Sequence, residues 1–135
     1  MTLTQRVQLS GAVIVSTPQD VALADAVRGV AMFRKVNVPI LGLVENMSFF
    51  ECPNCQHRTE VFRHGGGKTT AEQLEVPFLG HVPLDPAVVL SGDEGLPVVK
   101  RDPESAAAKA LVEVACRVRE QAAGHESSKI PRMTF

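Results

Sequence analysis

Gly11-Ala12-Val13-Ile14-Val15-Ser16-Thr17-Pro18 and Pro39-Ile40-Leu41-Gly42-Leu43-Val44 bracket a helical pattern, and the three together dictate the architecture. The first is a short unbroken apolar run closed by polar residues and proline, as in a strand covered on both faces. From Asp20 the apolar residues take helical spacing, with Leu23, Ala24, Val27, Val30 and Ala31 on one face and Arg28 and Arg34 off it. Asp20 suits the positive end of that helix, and Arg34 and Lys35 suit the negative end. Pro39 then introduces the second apolar run. Strand, helix and strand with short connections form a βαβ unit, whose strands are parallel and whose crossover is right-handed. The expected fold class is α/β, a parallel sheet flanked by helices.

Residues 1–10 are too short for another strand–helix layer, so the Val13 strand is expected to leave an apolar sheet edge open. The chain therefore reads as the second part of a larger α/β domain. Downstream, residues from about 46 to 67 read as an irregular loop, followed by a short helix around Thr70 to Leu74. Pro77 precedes a third strand, Phe78 to Val82. Pro83-Leu84-Asp85-Pro86 then turns into a brief helix ending near Ser91-Gly92. Residues 94–103 read as loop with an extended piece at Val98-Val99. A helix from about Glu104 to Gln121 places Ala107, Leu111, Val114 and Val118 on one face. Residues 1–123 are thus one unit, and residues 124–135 are expected to be an unstructured tail.

The composition narrows the function. Of 135 residues, 14 are basic and 15 acidic, a net charge of −1, with no Trp and no Tyr. No basic excess exists to displace phosphate counterions and few rings exist to stack on bases, so nucleic acid is not an expected partner. No run approaches the ~20 apolar residues that span a bilayer, so membrane insertion is not expected either. Met1-Thr2-Leu3-Thr4-Gln5-Arg6 has neither a secretory nor a transit pattern. Three cysteines are too few, and odd in number, for a disulfide framework, which suits a reducing compartment.

Cys52-Pro53-Asn54-Cys55 carries the most pointed chemistry. Two thiolates separated by two residues can grip one soft metal ion from the same side. The pair supplies half of a tetrahedral set. His57 and His64, a second copy of the pair, or solvent can complete it. A redox pair would need the first cysteine at a helix N-terminus, but Gln56 to Phe62 reads as extended. Four cysteines from two chains suit a [4Fe–4S] cluster and structural zinc equally. Cys116 lies off the apolar stripe of the last helix and has no expected role.

His64-Gly65-Gly66-Gly67-Lys68-Thr69-Thr70 invites a phosphate-loop reading, but the pattern needs glycine where Phe62 stands. It is read as a flexible loop entering the Thr70 helix, although its consecutive N–H groups can attract an anion.

Thr17-Pro18-Gln19-Asp20-Val21-Ala22-Leu23, Met32 to Pro39, and Val44-Glu45-Asn46-Met47-Ser48 together resemble the Mrp/ApbC family, MinD-related P-loop ATPases that carry iron–sulfur clusters. Further matches lie at Cys52 to Cys55, at Pro77-Phe78-Leu79-Gly80 and at Pro83 to Pro86, so the ordered series covers about residues 3 to 120. It is most similar to the bacterial carriers and to the mitochondrial relatives that serve respiratory complex I. The resemblance implies the C-terminal part of a MinD-like parallel sheet. It also implies a homodimer through the cysteine loop, with Cys52 and Cys55 of two subunits holding one bridging [4Fe–4S] cluster for apo iron–sulfur acceptors. Asn46 maps to the residue facing the adenine of ATP, and Pro83, Leu84 and Asp85 to the turn closing over the base. From the residues alone, Asn46 suits a turn at a strand end and Asp85 a helix N-cap. For Thr17 and Gln19, a border on the nucleotide side and a simple loop are equal expectations. The family's Walker A loop and magnesium-binding acid have no counterpart here, so the chain alone is expected neither to hydrolyse ATP nor to hold it tightly. The implied compartment is the cytoplasm for a bacterial protein and the mitochondrial matrix for a eukaryotic one. A zinc-binding interaction module is the alternative function, and an unstable remnant the third.

Overall fold

The structure is a computed structural model, and it describes residues 9–128. Strand β1 (Ala12–Ser16), helix α1 (Asp20–Lys35) and strand β2 (Ile40–Glu51) form the expected βαβ unit. β1 and β2 run parallel, with Ala12 opposite Ile40 and Ser16 opposite Glu45. Strand β4 (Phe78–Leu84) lies parallel on the other edge of β2, from Leu43 opposite Phe78 to Phe50 opposite Leu84. A two-residue strand β3 (Arg58–Thr59) pairs antiparallel with the end of β2 at Phe50 and Glu51. The sheet is therefore mixed: the three long strands are parallel as expected, and β3 is the exception.

Leu43 and Val44 point to opposite faces of β2 and anchor two separate cores. Leu43 packs with Ile14, Ala26, Val30 and Ala71 beneath α1 and helix α2 (Gly66–Gln73). Val44 packs with Leu79 and Val82 against Leu111, Val114 and Val118 of helix α5 (Ala106–Ser128). β1 is an edge strand among the described residues. Ile14 is buried beneath α1, while Val15, on the opposite face, is 60% exposed. Among the described residues the apolar edge expected from the sequence is open.

Five boundaries differ from the sequence reading, the first being that β4 runs to Leu84, so Pro83 and Leu84 end the strand and do not open a turn. β2 continues to Glu51, so residues 46–51 are strand and not loop. The extra length is held by β4 on one side and β3 on the other, with an irregularity between Asn46 and Phe50 and a left-handed Met47 (φ 53°) that disguise the periodicity. α2 begins at Gly66, four residues before the expected start. Val98-Val99 is not extended. It opens helix α4 (Val98–Arg101), because Pro97 has its φ at −53° and its carbonyl accepts the Lys100 and Arg101 N–H groups. α5 runs through Gly124 to Ser128, so the first part of the expected tail is helical. A single glycine costs a helix only about 1 kcal/mol, and Ala122 and Ala123 favour continuation. Residues 129–135 lie outside the described residues.

Helix α3 (Pro86–Asp93) starts where the sequence places it. The Asp85 side chain accepts the Ala87 N–H at 2.8 Å and Pro86 occupies the first helical position. Asp85→Ala is expected to lower stability by about 1 kcal/mol, read as a drop in the urea midpoint with an unchanged slope.

Candidate functional site

The cysteine pair lies at the tip of the β2–β3 hairpin. β2 ends at Glu51 and β3 returns at Arg58, its register partner. Between them the Cys52 N–H donates to the His57 carbonyl at 3.0 Å, and the Gln56 N–H donates to the Cys52 carbonyl at 2.8 Å. Gln56 takes the left-handed conformation (φ 59°) that closes the turn. Both thiols are free, with Cys52 half-buried and Cys55 exposed. The Cys55 and Asn54 backbone N–H groups, with a smaller contribution from the Cys55 side chain, hold the Cys52 thiol below its ordinary value and outweigh its slight burial. The thiolate is the metal-ligating form, so the turn favours the reactive species. The element that follows the pair is a strand and not a helix, as the extended reading of Gln56 to Phe62 requires.

The glycine run has a different purpose from either sequence reading. Gly65 and Gly67 donate their N–H groups to the Glu45 carboxylate, at 3.1 Å to Oε1 and 2.6 Å to Oε2. Glu45 is fully buried, and it occupies the N-terminus of α2 where an anion is favoured. The anion attracted by these N–H groups is thus the chain's own side chain, and the loop is held rather than free. Burial pushes the Glu45 carboxyl up, but the Ser48 hydroxyl, the Gly67 and Gly65 N–H groups and His81 outweigh it, leaving the pKa below its ordinary value. Gly67 permits this close approach: a Cβ there would lie 2.9 Å from the Glu45 Cβ and 3.0 Å from Oε2. Gly67→Ala is expected to cost about 2 kcal/mol by overpacking, measured by chemical denaturation.

Around Glu45 the fold gathers three more side chains. Ser48 donates to Oε1 at 2.5 Å, and its oxygen lies 2.7 Å from His64 Nδ1 and 3.1 Å from His81 Nδ1. His81 Nδ1 is itself 3.2 Å from Oε1. Burial, opposed by the Glu45 carboxylate and reinforced by His64 and Arg58, lowers the His81 pKa. His64 is therefore engaged with Ser48 and Glu45 rather than with the cysteine turn. His57 stays exposed beside the pair. Sequence reasoning missed this group altogether. The available signal was a carboxylate directly after the apolar run Ile40 to Val44, with two glycine N–H groups in search of an acceptor.

Asn46, Pro83, Leu84 and Asp85 line one groove of about 240 Å³ beside the middle of β2 and the end of β4. Its walls are otherwise apolar, including Val15 and Val88. Within it the Asn46 Oδ1 accepts the Met47 N–H at 2.9 Å, and Asp85 serves as the α3 cap. The Asp85 cap read from the residues is present, whereas Asn46 lies within β2 and not in a turn at its end; the four residues also share one concave surface. Thr17 and Asn46 line a neighbouring groove along β1. The Thr17 hydroxyl donates to Gln19 Oε1 at 3.1 Å. No helix among the described residues is long and apolar enough to cross a membrane.

Known proteins agree with this layout. The model of the ParA group described as NUBPL iron-transfer P-loop NTPase matches residues 1–119. The iron–sulfur cluster transfer protein NUBPL of Dictyostelium discoideum is 51% identical over 121 residues, covering 90% of this chain and 38% of that protein. The iron–sulfur cluster carrier protein of Deinococcus radiodurans is 47% identical over 131 residues, covering 97% and 37%. The crystal structure of the cell division ATPase MinD from Pyrococcus furiosus superposes with a TM-score of 0.66 at 29% identity, over 82% of this chain and 43% of that one. The chain thus spans less than half the length of each. It is a MinD-like α/β unit, and it belongs to the family of NUBPL iron-transfer P-loop NTPases.

Proposed function

We propose that this chain is the cluster-holding part of an iron–sulfur carrier, in which Cys52 and Cys55 of two copies grip one bridging [4Fe–4S] cluster for delivery to apo-proteins. The observation that carries the reading is the hairpin tip: two free thiols in one hydrogen-bonded turn, one of them poised toward thiolate. Two ligands per chain leave a cubane cluster half held, and a two-fold axis through the tip supplies the other two. A cluster held at such an interface is exposed to attack by acceptor thiolates, which is how it leaves. Relatives named as cluster transfer or carrier proteins support the role. The compartment follows the source: mitochondrial matrix in a eukaryote, cytoplasm in a bacterium.

The groove bounded by Asn46 and by Pro83 to Asp85 suits a flat, largely apolar ring with one amide to read its edge, as the adenine of ATP presents. The chain by itself is proposed not to hydrolyse ATP. Its glycine run lacks the phosphate-loop spacing, and Glu45 already takes the Gly65 and Gly67 N–H groups.

Anaerobic reconstitution with iron and sulfide, followed by size-exclusion chromatography, tests the carrier reading. A brown dimer with about four irons is the expected product. A colourless monomer with one zinc ion would instead establish the zinc module. Aggregate without stoichiometric metal would show that the chain alone does not support the chemistry.

A further inference from the structure

Glu45, His64 and His81 each offer one ligand atom, and all three atoms lie within 4.8 Å of one another. We infer that they form a second, thiolate-free site for a single divalent first-row ion of the zinc or ferrous type, independent of the cysteine pair. Neighbouring ligands on a tetrahedral ion with bonds of about 2.0–2.1 Å sit roughly 3.3 Å apart. Glu45 Oε1 is 3.2 Å from His81 Nδ1 and 3.5 Å from His64 Nδ1, so two of the three edges are already set. Closing the distance between the two imidazole nitrogens completes the face.

The ligands are supported in the manner of a built site. Glu45 and His81 are register partners on adjacent strands, which fixes their spacing through the sheet. The Gly67 N–H holds Oε2 and turns Oε1 toward the histidines. Carboxylates and imidazoles fixed by such outer hydrogen bonds bind metal more tightly. Both rings are about 30% exposed, at 27% for His64 and 30% for His81, so an ion has an entry path. Two imidazoles and a carboxylate suit borderline divalent ions, whereas iron–sulfur clusters prefer thiolates.

Three groups must yield when the ion enters, the first being the Nδ1 proton that His81 gives to Glu45, which moves to His81 Nε2. The Ser48 hydroxyl, now the hub of the cluster, either becomes the fourth ligand or rotates away. Because Ser48 gives its one proton to Glu45, it accepts from His64 Nδ1–H, and His64 Nε2 is left to accept from Arg58 at 3.2 Å. An ion on Nδ1 moves that ring proton to Nε2, which then no longer accepts from the guanidinium. Arg58 is released from His64, although it keeps its place 3.7 Å over the Phe49 ring unless charge repulsion drives it further. Arg58 sits three residues beyond Cys55, so occupancy of this site is felt at the base of the cysteine hairpin.

Cobalt(II) titration of the full chain carrying Cys52→Ser and Cys55→Ser tests the site, since cobalt reports tetrahedral geometry by its visible bands. The expected result is one cobalt per chain, intense d–d absorption without a thiolate charge-transfer band, and displacement by zinc. His64→Gln and His81→Gln should each weaken binding on the order of tenfold or more. Arg58→Ala removes a repelling charge and no ligand, and should bind at least as tightly. The site is overturned if the chain lacking Cys52 and Cys55 binds no cobalt, or if neither histidine variant weakens binding. An equal loss in Arg58→Ala would overturn it too, because the effect would then follow structure rather than ligation. If a histidine variant fails to fold, zinc is still expected to raise the urea midpoint of the parent lacking Cys52 and Cys55; no shift there also overturns the site.

Discussion

With Cys52 replaced by serine, the chain is expected to lose stoichiometric iron, its brown colour and its cluster-dependent dimer together. The hairpin places Cys52 where the Cys55 and Asn54 N–H groups stabilise a thiolate. A serine hydroxyl in the same place stays protonated at neutral pH and is a poor ligand for soft iron. Cys55→Ser should do the same, because each chain then offers one thiolate and a two-fold dimer only two. Cys116→Ser is the control: Cys116 is exposed on α5 and should retain full iron content. Iron and sulfide per chain, with the elution volume, give the readout. The folded state should hardly notice these changes, since exchanges at an exposed turn usually shift stability by within about 0.5 kcal/mol. Full iron in Cys52→Ser would place the cluster elsewhere.

Glu45→Ala is expected to be the most destabilising single substitution in the chain, at about 4 kcal/mol. It removes, from a fully buried site, the acceptor of the Gly65 and Gly67 N–H groups, of the Ser48 hydroxyl and of His81. Each buried donor left without a partner costs about 1–3 kcal/mol, and a small domain has only about 5–15 kcal/mol in total. Glu45→Gln keeps one acceptor oxygen but turns an NH₂ group toward a backbone N–H, so about half the loss is expected. A urea series on the two variants separates these values.

The same carboxylate gives stability a pH dependence of known sign. Its folded pKa lies below the ordinary 4.5, so the unfolded chain binds the proton first. The contribution is complete above 4.5 and is lost as pH falls through the lower folded value. His81, also lowered, from 6.5, adds a loss in the same direction that begins at higher pH. Glu45→Gln should therefore flatten the acid limb below 4.5 while the loss that begins near 6.5 persists. An unchanged acid limb would show that Glu45 titrates alike in both states.

The βαβ unit, the turn that brings Cys52 and Cys55 together, and the Asp85 cap were all legible in the residues, because each is decided locally. Apolar period sets strand and helix, two residues of turn set the thiol spacing, and a cap needs only its own next N–H groups. Val98-Val99 misled for the converse reason, since β-branched residues favour strands in general but Pro97 and its carbonyl set this turn. The groove and the Glu45 cluster were decided only in three dimensions. His64 and His81 lie 16 and 33 residues from Ser48, and their meeting depends on the register of β4 on β2 and on the path of the chain into α2. A glutamate in a strand ordinarily signals exposure. Only the arrival of two glycine N–H groups and a buried hydroxyl makes its burial favourable, and no local pattern encodes that arrival.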